Sequence, residues 1–123
     1  MNAAIGFEQL EAEVGRARGR FEITDNVRQP HGIVHGGAYA AAAESLASAA
    51  TYEAVSKEGM LAMGQSNHTS FLRPVFEGTI HAEGIARHRG RTSWVWEVEF
   101  TDDGGRLCAL SRVTMAVRSA DGS

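Results

Sequence analysis

Apolar and polar positions along this chain form short alternating runs around one long stretch of small residues. Arg16 to Asp25 alternates, with Ala17, Gly19, Phe21 and Ile23 on one side and Arg18, Arg20, Glu22 and Thr24 on the other. A two-residue period predicts a half-buried strand. Thr92 to Thr101 alternates as cleanly: Thr92, Trp94, Trp96, Val98 and Phe100 face one way, and Ser93, Val95, Glu97 and Glu99 the other. Asp102-Asp103-Gly104-Gly105 supplies a hairpin turn, and Arg106 to Arg118 returns as the partner strand. Met60 to Leu72, ended by Arg73-Pro74, and Thr79 to His88, ended by Gly90, predict two further strands. Residues 2–14 predict a short amphipathic helix, with Ile5, Leu10 and Val14 as its apolar positions.

Asn26 to Gly36 is a polar loop containing Pro30, Gly32 and two histidines. It leads into the strongest helical stretch, from about Gly37 to Lys57, which has no proline and stops at Gly59. Ala38, Ala40, Ala41, Ala42, Ala43, Ala47, Ala49, Ala50 and Ala54 go most of the way round it. A helix that is small on nearly every face suits a place where other backbone approaches closely, as when a sheet curls around it. The predicted order is helix, strand, long helix, then four strands in meander-like succession. One helix of about 20 residues, roughly 30 Å long, gripped by a curled antiparallel sheet is the α+β hot-dog architecture. Such a sheet leaves edges and apolar surface that predict a homo-oligomer.

The chain has 123 residues, with 43% hydrophobic and 22% charged positions. It reads as a single domain over residues 1–123, with no linker, internal repeat or low-complexity segment. Lys and Arg number 12 against 15 Asp and Glu, for a net charge of −3. That argues against a protein that wraps nucleic acid, which needs a basic surface. Cys108 is the single cysteine, so an internal disulfide and a cysteine-rich zinc site are both excluded. The histidines lack zinc-ligand spacing, and no metal or cofactor is expected. Met1 to Glu8 has no basic region and no long apolar run, and the alanine helix carries Glu44 and several hydroxyls. Neither a secretory signal nor a membrane span is expected, which makes the cytoplasm the default compartment.

The candidate chemistry lies in Gln29-Pro30-His31-Gly32-Ile33-Val34-His35-Gly36-Gly37, running into the helix that bears Glu44 and Ser48. Glycines at a helix start leave backbone N–H groups accessible, with the positive end of the helix dipole behind them. That arrangement can polarise a carbonyl. Glu44 lies about two turns on, with Ser48 one turn beyond it on the same face. A carboxylate in an alanine helix is costly if buried unpaired, so it either reaches solvent or has a chemical task.

These residues, with Arg28-Gln29, Val34-His35-Gly36-Gly37-Ala38-Tyr39, Ala43-Glu44, Gly64-Gln65-Ser66-Asn67-His68-Thr69-Ser70-Phe71, Arg73-Pro74-Val75, Trp94-Val95-Trp96 and Gly105-Arg106-Leu107-Cys108-Ala109, carry a resemblance. From about Ile23 to Arg118 the chain resembles the hot-dog acyl-CoA thioesterases. It is most similar to the Arthrobacter-type 4-hydroxybenzoyl-CoA thioesterases and next to the 1,4-dihydroxy-2-naphthoyl-CoA thioesterases of menaquinone synthesis. The stretch from Gly64 to Val75 is the most specific part, because nothing generic about strands demands it.

The resemblance implies that Glu44 is the catalytic carboxylate, as nucleophile on the thioester carbonyl or general base for water. It implies that the Gly36 N–H polarises that carbonyl and that Gln29 positions the thioester. Ser48 would orient the nucleophile or water, and His35 would shape the loop. Arg73 is the family-matched contact for CoA phosphates, and Arg89, Arg91, Thr92 and Arg118 are further candidates. Sites at a dimer interface, and a dimer of dimers, are also implied. Ala49 follows Ser48 where the hydroxybenzoyl-CoA enzymes carry a glutamate. A thioester is an activated acyl donor, so a carboxylate and one preorganised donor can suffice without a Ser-His-Asp triad. Two other readings stand beside hydrolysis. One is a hydratase using Asp25 and His31, and the other a non-catalytic acyl-CoA-binding domain. Trp94 and Trp96 share a strand face and read as core or interface. Cys108 reads as a small buried hydrophobe.

Overall fold

The computed structural model describes residues 5–30, 32 and 34–120. In chain order the strands and the long helix are β1 (Glu8–Glu13), β2 (Arg16–Glu22), α1 (Gly36–Val55), β3 (Met60–Phe71), β4 (Thr79–Arg89), β5 (Ser93–Thr101) and β6 (Leu107–Ser119), with single 3-10 turns at Asp25–Val27 and Ser56–Glu58. The six strands form one antiparallel sheet in the order β1-β2-β4-β5-β6-β3. One long helix packed on a curled antiparallel sheet is the expected α+β hot-dog fold.

Ile5 is helical, but residues 8–13 of the expected N-terminal helix form β1 instead. Gly6 and Gly15 adopt φ of 70° and 84°, so left-handed turns bracket the segment. Two of its three expected apolar positions stay out of the core, Leu10 at 39% and Val14 at 65% exposure. As a strand it instead pairs its backbone with β2 and sets Glu11 against Arg18 at 3.2 Å and Glu8 against Arg20 at 3.0 Å. Residues 2–4 of the expected helix lie outside the described residues.

The four later strands are not a simple meander. β4, β5 and β6 are successive neighbours, but β3 pairs with β6 at the sheet edge. Residues 72–78 cross the end of the sheet between β3 and β4. The N–H groups of Leu72 and Arg73 donate to Cys108 O at 2.9 and 3.2 Å, Val34 N–H donates to Val75 O at 2.9 Å, and Ile23 N–H to Gly78 O at 2.9 Å. Alternation shows which residues of a strand face inward; it carries no information about which strand lies alongside.

The core lies between α1 and the inward faces of the strands. Trp94, Trp96, Val98 and Phe100 are buried on β5, as their alternation predicts. They meet Ala42, Ala43, Leu46 and Ala47 of α1, all fully buried. Trp96 Nε1 donates to Thr51 Oγ1 at 2.8 Å, which satisfies the one polar tip of the indole. The sheet covers one side of α1 rather than most of its circumference. Gly37, Glu44, Ala49, Tyr52 and Glu53 stay exposed on the open face. A sheet that twists by about 20° per strand curls across one face of a helix and leaves the other for a second surface. At the sheet edge, β3 also exposes Leu61, Met63 and Phe71.

Candidate active site

The loop before α1 is held by several independent ties. Arg28 donates to Asp25 Oδ1 at 2.7 Å, to Phe76 O at 3.0 Å and to Ile23 O at 3.3 Å. Its backbone forms an isolated bridge with Val34. Gln29 lies half-buried in the turn between them, and its carbonyl accepts the Gly32 N–H at 2.8 Å. The Asp25 carboxylate is thus engaged with Arg28, and His31, its partner in the hydratase reading, lies outside the described residues.

His35 caps the helix. Its Nδ1 accepts the Gly37 N–H at 3.0 Å and its carbonyl accepts the Ala38 N–H at 3.0 Å. Accepting at Nδ1 requires that nitrogen to be unprotonated, and the neutral ring then carries its proton on Nε2. The Gly36 N–H finds no acceptor among the described residues and stands at the positive end of the helix dipole. The Phe71 ring lies directly against Gly36: a Cβ there would stand 2.7 Å from Phe71 Cζ. Phe71 is itself 60% exposed, so an open aromatic edge flanks the helix start.

Glu44 points from the exposed face of α1 toward β3. Its carboxyl lies over Gly64, where a Cβ would stand 3.0 Å from Cδ and from Oε2 and 3.4 Å from Oε1. Ser48 follows one turn later, half-buried on the same face. Asn67 Nδ2 donates to Ala40 O at 2.9 Å, tying β3 to the helix between the levels of Gly36 and Glu44.

The cationic candidates do not gather in one chain. Leu72 and Arg73 hang from Cys108 O at the β3 end near Leu107, where an exposed concavity is lined by Arg73, Phe76, Asp102, Asp103 and Arg106. Thr92, Arg89, Arg91 and Arg118 sit at the opposite end of the sheet. There Arg118 Nη1 donates to Thr92 O at 3.0 Å, and the Arg89 side chain passes Gly15, where a Cβ would stand 3.7 Å from Arg89 Cδ. The run of β5 between the two ends is about 27 Å at the rise of an extended strand. Sequence reasoning treats these five as one ring, but the hairpin separates them.

Burial raises the Tyr39 hydroxyl above its ordinary range, with Cys108 and Asp102 adding to the effect, and that hydroxyl has no partner among the described residues. Burial likewise pushes the Cys108 thiol up, and Sγ donates to Arg106 O at 3.2 Å. Cys108 is a buried thiol, as its sequence context predicts. Among the described residues no group of three His, Cys, Asp or Glu side chains could hold a metal ion.

Sequence reasoning assigned no role to Gly64, Asn67, Thr69 or Ser111. The signal for the first three was present, as the one strand whose composition strand formation does not explain.

Residues 31–109 match the Thioesterase superfamily. The chain is 31% identical over 118 residues to the 1,4-dihydroxy-2-naphthoyl-CoA hydrolase of Listeria monocytogenes, covering 96% of this chain and 95% of that protein. It is 34% identical over 117 residues to the proofreading thioesterase EntH of Klebsiella pneumoniae, covering 95% of this chain and 85% of the relative. A solved thioesterase from Haemophilus influenzae superposes with a TM-score of 0.90 at 27% identity, over 97% of this chain and 82% of its own. The chain belongs to the thioesterase superfamily, and it is a thioester hydrolase. No described helix is long and apolar enough to cross a membrane.

Proposed function

We propose that this hydrolase cleaves an aromatic acyl-CoA of the 4-hydroxybenzoyl type to free acid and CoA, with Glu44 as the reacting carboxylate. The observation that carries this reading is the Glu44 carboxyl, exposed on the open helix face and seated over Gly64. As nucleophile it would attack the thioester carbonyl and expel the CoA thiolate, leaving a mixed anhydride for water to open. As general base it would take a proton from water that attacks directly. The Gly36 N–H would polarise the carbonyl, the Gln29 amide would position the thioester, and the Ser48 hydroxyl would orient the attacking group. His35 would hold the helix start in shape. No cofactor or metal is needed.

Helix geometry adds a condition. Gly36 and Glu44 are about 12 Å apart along the axis at 1.5 Å per residue and about 80° apart around it. β3 holds them apart as well, with Gly36 against Phe71 and Glu44 over Gly64. One acyl carbonyl is therefore poorly placed to meet both from the same chain. In our reading the site is shared, with Gly36 from one copy and Glu44 from its partner in a homo-oligomer, itself a dimer of dimers. The same sharing would bring Arg73 of one copy and the Arg89, Arg91, Thr92 and Arg118 group of another toward one CoA.

The alternative substrate is 1,4-dihydroxy-2-naphthoyl-CoA, favoured by the Listeria relative. Purified protein is incubated with 4-hydroxybenzoyl-CoA, 1,4-dihydroxy-2-naphthoyl-CoA and aliphatic acyl-CoAs while free thiol is followed. Aryl turnover is expected, and Glu44→Ala should lower it by at least about 100-fold, the scale of losing an acid-base group. Full activity in Glu44→Ala would remove Glu44 from the mechanism. Faster aliphatic than aryl turnover would remove the aromatic assignment.

A further inference from the structure

The stretch from Gly64 to Phe71 has more structure than a strand needs, and its hydrogen bonds converge on the helix turn that carries Glu44. β3 packs its inward positions against α1, and a strand repeats every two residues. Residues 64 and 67 are three apart and would face opposite ways in a regular strand. The β3–β6 register slips between Gly64 and Ser66, which inserts one extra residue. That bulge changes the phase, so Met60, Ala62 and Gly64 before it and Asn67, Thr69 and Phe71 after it all turn toward the helix.

Asn67 is the end of a directed chain of hydrogen bonds. The Thr69 hydroxyl donates to Asn67 Oδ1 at 2.8 Å and lies 2.8 Å from Ser111 Oγ on β6. Thr69 has one hydroxyl proton, already given to Asn67, so Ser111 donates to Thr69. With Oδ1 occupied, Asn67 must present its amide nitrogen to Ala40 O, which it reaches at 2.9 Å. Within α1 that carbonyl is also the acceptor for the backbone N–H of Glu44, four residues on. Asn67 and the Glu44 backbone therefore meet on one oxygen. The bulge then places Gly64, the position with no side chain, under the Glu44 carboxyl.

We propose that Gly64 and Asn67 are positioning residues for Glu44. Gly64 leaves the space in which the carboxyl rests, and Asn67 locks β3 to the helix turn beneath it. The inference rests on the assignment of Glu44 as the reacting group. It accounts for a glycine, a bulge and an asparagine in a strand that needs none of them to pair. An added Cβ at residue 64 meets the flexible end of Glu44 at 3.0 Å rather than backbone, so it displaces the carboxyl by a few tenths of an ångström and leaves the fold intact.

The test compares wild type, Gly64→Ala, Glu44→Asp, the double variant Gly64→Ala/Glu44→Asp, Asn67→Asp and Glu44→Ala. Each is assayed for kcat and KM on the fastest aryl-CoA of the panel and for thermal midpoint. Gly64→Ala should lower kcat about tenfold with KM within about twofold, the scale of a small misplacement of a reacting group. Its midpoint should stay within a few degrees of wild type. Aspartate is shorter by one methylene and withdraws from the new Cβ, so Glu44→Asp should cost at least about threefold less in the Gly64→Ala background than in wild type, a coupling read from the double-mutant cycle. Asn67→Asp keeps the size and the acceptor for Thr69 but turns an oxygen toward Ala40 O, and should lower kcat about as much as Gly64→Ala.

Wild-type kcat in both Gly64→Ala and Asn67→Asp, with Glu44→Ala inactive, would overturn the positioning role and leave the mechanism standing. So would additive effects in the cycle, or activity that falls only in proportion to lost folded protein. Full activity in Glu44→Ala would overturn both.

Discussion

How closely α1 seats on the sheet decides where its open face presents Glu44, and Gly84 on β4 sets that distance. A Cβ at residue 84 would stand 3.1 Å from Leu46 Cδ2 and 3.2 Å from Trp96 Cε3. The indole cannot yield: it is fully buried, stacked on Trp94 with ring centroids 6.2 Å apart, and hydrogen-bonded to Thr51. Leu46 is fully buried as well. Gly84→Ala therefore overpacks the layer, at about 1–3 kcal/mol. Removing a glycine from a strand interior returns about 0.5–1 kcal/mol, for a net loss of roughly 0–2.5 kcal/mol. Leu46→Ala alone opens a cavity and should cost about 2.7–5 kcal/mol. In the double variant the new methyl group has the vacated leucine volume to enter, so the strain disappears and the cavity shrinks. The double variant should be more stable than the sum of the single losses by at least about 1 kcal/mol. Urea unfolding at fixed protein concentration, with a common slope for all four proteins, measures this. Additivity within about 0.5 kcal/mol would show that Leu46 and Gly84 do not share the contact that seats the helix.

Two further outcomes follow from the loops. The Asp102 carboxyl is held below its ordinary value, first by the backbone N–H of Arg106 and also by the Arg106 guanidinium and the Gly104 N–H. A depressed carboxylate stabilises the fold above its unfolded pKa and loses that contribution as pH falls through its folded value. The stability gap between wild type and Asp102→Asn should thus be constant near neutrality and close as pH drops below about 3.9; a gap that stays constant into acid would rule out the charge as its source. His35→Ala removes the side chain that caps Gly37 and should cost about 1 kcal/mol in thermal or urea unfolding, with His35→Ser recovering most of it; equal stability of the two variants would show that the cap contributes nothing.

The legible parts of the fold were those with a strong period. β2 and β5 alternate because one side faces a core, and each lies where its pattern put it. α1 was readable from its composition, its lack of proline and its stop, and Gly59 at φ 74° ends the turn that follows it. The N-terminal segment misled because Ile5, Leu10 and Val14 suggest a helix face, while two glycines in left-handed conformation and cross-strand charge pairs make a strand. In the candidate site, Glu44 and Gly36 stood out as chemical oddities on a helix of alanines. Gly64 and Asn67 stood out only as unexplained residues, because what they do depends on a helix turn some 20 residues upstream in the chain.

Local chemistry along the chain was enough to determine one long helix of small residues, strands with one apolar side, a glycine helix start with an accessible N–H at Gly36 and a carboxylate two turns beyond it. These follow from periodicity, from the steric freedom of glycine and from the cost of burying charge, all of which act over a few residues. Three things were decided only by the tertiary structure. β3 joined the sheet beside β6, which carried its bulge under α1. The sheet closed over one face of the helix and left the other, with Glu44, open. The arginines were divided between two ends of one hairpin layer. Each is a matter of which distant segments lie side by side, and a pattern of two or of 3.6 residues gives the direction of a side chain but not the identity of its neighbour.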